Sequence, residues 1–163
     1  MIIDFSSVYE RYAPDVYRFA LYLCGDAALA EDIAAETFVR AWVTPAEIRT
    51  ATVKSYLFAI ARNLYRASLE QQSHQAHLPA DQPDPAPGPE ASADARLELN
   101  AALQALQALP EIDRAALLMH VQDDMSYAEI GGALDLSVAA VKVKVHRARL
   151  KLRRWSNLER GSP

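Results

Sequence analysis

The sequence has few residues of the kinds that form covalent or metal cross-links. Its 163 residues include one cysteine, Cys24, so an internal disulfide and a zinc site of several thiolates are excluded. Cys24 lies in the apolar stretch FALYLC, where a small buried side chain is expected. The four histidines are scattered, and we expect neither a metal site nor a cofactor. Because 51% of the residues are hydrophobic, a core can form without such cross-links.

Long hydrophobic runs and catalytic motifs are also missing. No apolar run reaches the roughly 18 residues that a membrane span needs. The N-terminus, MIIDFSSVYERY, has an acid at position 4 and does not follow the pattern of a signal peptide. We therefore expect no membrane insertion and a cytoplasmic location. The absence of a glycine-rich phosphate loop, a nucleophile elbow and a metal-ligand cluster predicts that the protein is not an enzyme.

Proline is concentrated in one place and divides the chain. The segment LPADQPDPAPGPEASAD, residues 78–94, holds five of the nine prolines and is acidic. Such a segment cannot sustain a helix and buries little apolar surface. No alternating apolar pattern predicts strands on either side of it. We therefore predict an all-α fold with two small helical domains, 1–72 and 96–163, joined by a flexible acidic proline-rich linker at 73–95.

Three helices are predicted in the first domain from apolar residues at helical spacing. The first ends before Gly25, and Pro14 is expected to kink it or to begin a new segment within it. The second should bury one side that includes Trp42. The third should run over roughly residues 54–70.

Four helices are predicted in the second domain, over roughly residues 97–109, 112–121, 127–134 and 138–155. Val121 should face inward. Ser126 and Glu129 have the spacing of a capping box for the third of these helices. Ser137 should cap the last. Two short helices joined by a tight turn have the helix-turn-helix pattern, which is typical of DNA-binding proteins.

The last helix is strongly basic in an otherwise acidic chain. Residues 137–155, SVAAVKVKVHRARLKLRRW, carry seven positive charges and no acid, although the net charge of the chain is −4. One apolar stripe should pack on Ile130 and Leu134, and it comprises Val141, Val145, Ala148 and Leu152. The residues off that stripe suit a DNA surface, because small side chains permit close approach and cations pair with phosphates. A solvated basic helix end is the alternative.

Both domains resemble the extracytoplasmic-function sigma factors of the sigma-70 family of RNA polymerase subunits. The second domain, from LPEIDRAALL through MSYAEIGGALDLSVAAVKVKVHRARLKL, is similar to the C-terminal promoter-reading domain of that family. The first domain is similar to the N-terminal one in YERYAPDVYRFA, AEDIAAETFVRAW and SYLFAIARNLYR. The resemblance covers nearly all of the chain except the linker.

The resemblance implies a subunit that binds core RNA polymerase, through its clamp helices and flap, and that directs initiation at particular promoters. It also implies promoter DNA and an anti-sigma factor as partners. The residues that match the polymerase-binding positions are Asp32, Glu36, Thr37 and Arg40. Those that match the positions contacting the melted −10 strand are Lys54, Tyr56, Arg62, Asn63 and Arg66. Those that match the −35 duplex-reading positions are Ser137, Ala139, Ala140, Lys142, Val143, Lys144 and Arg147.

Several departures from the family pattern predict an unusual promoter preference. Ala35 stands where glutamine is common, so one contact with the polymerase clamp should be weaker, and ASLEQQSHQAH replaces an arginine-rich tail, which removes phosphate contacts. Gly131 and Gly132 replace residues of a helix that is usually rich in alanine.

The acidic linker either imitates nucleic acid in a basic channel of the polymerase or is a solvated tether. The alternative function is that of a free-standing helix-turn-helix regulator that binds duplex DNA without polymerase.

Overall fold

The computed structural model describes residues 4–43, 52–74 and 93–160, and within these ranges it is helical, without strands. The chain divides into two compact units, Met1–Pro85 and Ala86–Pro163. The predicted all-α class is thereby confirmed. The predicted linker lies outside the described residues over 75–92.

The described residues form seven helices. They are α1 (Phe5–Cys24), α2 (Ala27–Val43), α3 (Val53–His74), α4 (Ala93–Gln107), α5 (Glu111–Val121), α6 (Tyr127–Leu134) and α7 (Val138–Arg160).

The first unit is a bundle in which α1, α2 and α3 pack on one another. Asp4 caps the start of α1, and Gly25 ends it in the left-handed conformation, with a φ of 73°. In the core, the rings of Phe19 and Phe58 stack with their centroids 4.7 Å apart, which joins α1 to α3. Cys24 is half-buried at the end of α1 instead of fully buried.

Two expectations for this unit are corrected. Pro14 lies inside the continuous helix α1, so the alternative that it begins a new segment is excluded. Trp42 is 62% exposed. Ala41 occupies the core-facing position, so Trp42, about 100° further round the helix, lies at the rim, where its ring packs edge-on against Phe5 at 4.4 Å.

In the second unit, α5, α6 and α7 pack on one another and α4 packs on α5 and α7. Arg114 ties α5 to the end of α4. Its Nε donates to the carbonyl of Leu106 at 2.9 Å, and its Nη2 donates to the carbonyl of Leu109 at 3.1 Å. Val121 was expected to face inward but is 61% exposed, because α5 ends at this residue and its inward side is already occupied by Met119 and its neighbours.

The capping box at the start of α6 is confirmed. The Ser126 hydroxyl accepts from the Glu129 N–H at 3.1 Å, and the Glu129 carboxylate accepts from the Ser126 N–H at 3.2 Å. Both otherwise orphaned donors at the helix start are therefore satisfied. The N-terminus of the first helix of the helix-turn-helix is fixed by its own sequence.

The turn between α6 and α7 passes very close to α6. Asp135 ends α6 with a φ of 56°, and the Leu136 N–H donates to the carbonyl of Gly131 at 2.9 Å. A Cβ at position 131 would lie only 2.6 Å from the carbonyl oxygen of Leu136. Gly131 is thus required by the close approach of the turn, whereas Gly132 is exposed.

We expect Gly131→Ala to lower the free energy of unfolding by about 1–3 kcal/mol, because the added methyl group forces the turn away from α6. Gly132→Ala is the matched control, and it should raise the free energy of unfolding by up to about 1 kcal/mol, because alanine is the better helix former. Urea unfolding followed by circular dichroism measures both. Equal effects of the two substitutions would contradict the close approach.

Candidate nucleic-acid interface

One side of α7 is buried in the second unit. Val141, Val145 and Ala148 are 0%, 1% and 0% exposed, and Leu152 is half-buried. The helices α5 and α6 cover this side, and the residues predicted to receive it, Ile130 and Leu134, are buried. The predicted apolar stripe is therefore confirmed, and it fixes which side chains of α7 face outward.

The start of α7 is fixed by a side-chain cap. The Ser137 hydroxyl accepts from the Ala140 N–H at 3.1 Å, which confirms the predicted cap. Ala139 is exposed and Ala140 is half-exposed. These small side chains leave the first turn of the helix open to close approach by another molecule.

The remaining candidate −35 residues lie on the outward side of α7. Lys142, Val143 and Arg147 are exposed, and Lys144 is half-exposed. Val143 is 59% exposed although it is apolar. The structure thus brings all seven predicted −35 residues together along the first three turns of α7 and the capping residue before them. We call this the α7 outer face.

A stacked aromatic pair supports one flank of the α7 outer face. The Lys142 ammonium lies 5.8 Å from the centroid of the Tyr127 ring, a cation–π contact. On α5, His120 stacks on the same ring with centroids 4.6 Å apart. Neither Tyr127 nor His120 was expected at the site from the sequence. The available signal was an aromatic residue directly after the Ser126 cap of the helix-turn-helix.

A buried carboxylate supports the other flank. The Arg147 guanidinium donates from Nε to Asp113 Oδ2 at 2.8 Å and from Nη2 to Asp113 Oδ1 at 2.9 Å. The Asp113 side chain is 0% exposed, whereas the Arg147 side chain is 49% exposed. These hydrogen bonds, together with the negative charge of Asp113, raise the pKa of Arg147 above its ordinary value. No sequence pattern indicated this pair, because its members are 34 residues apart.

In the first unit, α2 presents three of its four candidate polymerase-binding residues to solvent. Asp32, Glu36 and Arg40 are exposed, and Arg40 Nε donates to Glu36 Oε1 at 3.2 Å. Thr37 is placed differently. Its side chain is 0% exposed, and its hydroxyl donates to the carbonyl of Ile33 at 2.7 Å. The structure therefore puts Thr37 in the core, because the side of α2 on which it lies packs inward.

The candidate −10 residues on α3 are divided between core and surface. Asn63 and Arg66 are exposed and Lys54 is half-exposed. Tyr56 and Arg62 are 9% and 7% exposed, so most of both side chains is inside the unit. Most of the loop before α3, residues 44–51, lies outside the described residues.

An open groove of about 580 Å³ runs between α2 and α3. It brings part of the polymerase-binding set and part of the −10 set together on one surface. We call this the α2–α3 groove. It is lined by Glu36, Val39, Arg40, Val43, Tyr56, Ala59, Ile60 and Asn63.

Among residues 4–43, 52–74 and 93–160, no three His, Cys, Asp or Glu residues come together in a way that could hold a metal ion. No helix in this part of the chain is long and apolar enough to cross a membrane.

Two family models match the chain in the order of the two units. Residues 8–75 match the model for sigma-70 region 2, and residues 99–152 match the model for sigma-70 region 4. The first match contains the α2–α3 groove, and the second contains the α7 outer face.

Relatives extend these matches over nearly the whole chain. The chain is 30% identical over 159 residues to the ECF RNA polymerase sigma factor SigM of Bacillus subtilis, with 96% of each protein covered. It is 35% identical over 160 residues to the probable RNA polymerase sigma factor RfaY of Xanthomonas campestris. That match covers 90% of this chain, which spans only 40% of the length of RfaY.

The fold is also similar to a solved structure. The sigma factor RpoE of Bartonella quintana, in complex with the anti-sigma factor NepR, matches with a TM-score of 0.79 at 22% identity. The match covers 96% of this chain and 98% of RpoE. The resemblance inferred from the sequence is confirmed, and the chain belongs to the extracytoplasmic-function family of RNA polymerase sigma factors.

Proposed function

We propose that this chain binds core RNA polymerase, through its clamp helices and flap, and directs promoter-specific transcription initiation. In this proposal the α7 outer face reads the −35 element as duplex DNA. The first unit binds polymerase through α2 and contacts the melted −10 strand through α3. The observation that carries the proposal is the two-sided character of α7. Its stripe is buried in a helix-turn-helix core, and its opposite side is basic and exposed.

The α7 outer face has the chemistry that a major groove requires. Lys142 and Arg147 lie five residues apart, so they are roughly 140° apart around the helix and can contact different parts of a groove. Val143, which lies between them, offers an apolar contact of the kind that thymine methyl groups receive. Each phosphate that the helix neutralises should steepen the log–log salt dependence of binding by about 0.9.

The α2–α3 groove suits an unpaired base beside a protein interface. The exposed amide of Asn63 can donate to and accept from a base edge, and the edge of Tyr56 lines the same groove. On the α2 side, Glu36 and Arg40 offer charges of both signs to polymerase. Because members of both sets line one groove, polymerase binding and strand capture would take place at adjacent surfaces of the same unit.

An anti-sigma factor is a further proposed partner. The structurally similar RpoE was solved with an anti-sigma factor bound. On this chain, Val39 and Val43 are 55% and 68% exposed beside the α2–α3 groove, and apolar side chains of this kind favour a protein partner. An anti-sigma factor that covers them would block the proposed polymerase surface.

The chain has no enzyme activity of its own, since polymerase performs the chemistry, and it acts in the cytoplasm, where polymerase is found.

The rival function is that of a free-standing regulator. It would bind promoter duplex tightly without polymerase, whereas this chain should bind the same duplex weakly alone and selectively with core polymerase. Titrating one labelled promoter with and without polymerase distinguishes them.

We expect Lys142→Glu to reduce run-off transcription by about tenfold or more in a holoenzyme reconstituted from core polymerase and the full chain, because it replaces a phosphate or base contact by repulsion. Arg96→Glu makes the same charge change at an exposed position on α4 and should leave transcription nearly unchanged. An equal loss for both variants would show that net charge, not the α7 outer face, governs promoter use.

We expect Asp32→Arg to weaken binding to core polymerase by about tenfold or more, because a charge reversal at an interface places like charges together. Glu10→Arg is the control, since Glu10 is exposed on α1. Capture of core polymerase by the tagged chain measures both variants, and binding of the isolated variants to duplex DNA should not change. Full polymerase capture by Asp32→Arg would contradict the role of α2.

A further inference from the structure

We propose that Asp113 is a positioning residue for promoter reading. It holds the guanidinium of Arg147 so that the free edge of this group can hydrogen-bond a guanine in the major groove of the −35 duplex. This inference rests on the proposed function and adds to it a residue outside α7. The buried carboxylate of Asp113 would thereby influence recognition of one base pair of the promoter.

The hydrogen bonds between the two side chains use only one edge of the guanidinium. Nε and Nη2 of Arg147 each donate one hydrogen bond to Asp113, at 2.8 and 2.9 Å. A guanidinium has five N–H groups in a planar fork. Of the three that remain, the second on Nη1 points to the side opposite the carboxylate, and one on Nη1 and one on Nη2 point in parallel from the end edge of the group. Two parallel N–H groups on this edge match the O6 and N7 acceptors of guanine.

The Asp113 side chain is buried and the Arg147 side chain is not, as expected if Asp113 holds Arg147 in place. Asp113 is 0% exposed, and Arg147 keeps 49% of its side chain exposed. Asp113 lies in the first turn of α5, and the next six residues of that helix, from Arg114 to Met119, are all buried. The carboxylate is therefore held by the core and cannot follow the guanidinium into solvent.

A supported arginine is better prepared for recognition than a free one. An unsupported arginine on a surface samples many rotamers and loses this freedom when it binds. The bidentate pair with Asp113 removes most of that freedom when the protein folds. Arg147 also lies one turn after Val143 and two turns after Ala140 on α7, and Ala140 is too small to obstruct a base edge beside the guanidinium.

The position of Arg147 beside the small and apolar residues Ala140 and Val143 favours a guanine, although a phosphate can also accept two parallel hydrogen bonds. The two acceptors predict different consequences. Loss of a guanine contact weakens binding only where the promoter has guanine at one position. Loss of a phosphate contact weakens binding to all sequences equally. A purely structural ion pair predicts a loss of stability with no change in sequence preference.

The test uses holoenzyme made from core polymerase and the full chain on a promoter library randomised over the −35 element. Asp113→Asn keeps the shape of the side chain but removes the charge and one acceptor. Arg147→Lys keeps the charge but removes the fork. We expect each variant to reduce the preference for guanine at one and the same position by about tenfold, with the preferences at the other positions kept. The double variant should lose little more than either single variant.

Thermal unfolding of each variant separates folding from recognition. An unchanged preference at every position, with a lowered melting temperature, would overturn the inference and leave a structural ion pair. Uniform weakening over all sequences would also overturn it, because it would assign Arg147 to a phosphate. If the unsubstituted chain supports no polymerase-dependent initiation, the proposed function itself fails and this inference fails with it. Selective initiation that Asp113→Asn does not alter overturns only the role of Asp113.

Discussion

The burial of Val141, Val145 and Ala148 against α5 and α6 determines what α7 can do. Each buried valine contributes about 1.5–3 kcal/mol, whereas a cation–π contact at an exposed site contributes about 0.5–1 kcal/mol. The stripe therefore sets the rotation of the helix, and the contact of Lys142 with Tyr127 only adjusts a side chain. Once the rotation is set, the cations of α7 that lie off the stripe must face solvent.

The distribution of charge follows from the same arrangement. The chain is acidic, with a net charge of −4, yet residues 137–155 carry seven positive charges. A protein with cations over its whole surface would bind any DNA, because the attraction of phosphates does not depend on sequence. Seven of the 17 lysine and arginine residues lie within 137–155, and this concentration favours attraction of DNA to α7 over the rest of the chain. The exposed charges of α2, which are of both signs, are suited to a protein partner.

The sequence was most informative where structure is local. The capping box of Ser126 and Glu129, the cap at Ser137 and the stripe on α7 depend on residues within a few turns of each other, and all three were predictable. Trp42 was misplaced because one helical position decides between core and rim. The burial of Thr37 and Arg62 could not be read from motifs, since a motif does not show which side of a helix packs inward.

The contacts between helices could not be predicted from the sequence. The pair of Asp113 and Arg147 joins α5 to α7, and the contact of Lys142 with Tyr127 joins α7 to α6. Both depend on how helices cross, and no spacing along the chain encodes this. The requirement for Gly131 is similar. As a departure from an alanine-rich pattern it predicted an unusual promoter preference, but the structure shows that the turn needs the space.

The proposed role of α7 is tested most directly by measuring where this helix lies on promoter DNA. Cys24 is the only cysteine, so Arg149→Cys, at an exposed position of α7 that is not part of the α7 outer face, in a Cys24→Ala background provides one attachment point for a DNA-cleaving iron chelate. In complexes with core polymerase and promoter, cleavage should be confined to the −35 element on both strands across one major groove. Cleavage that is absent there or spread evenly along the DNA, while initiation remains normal, would contradict the account.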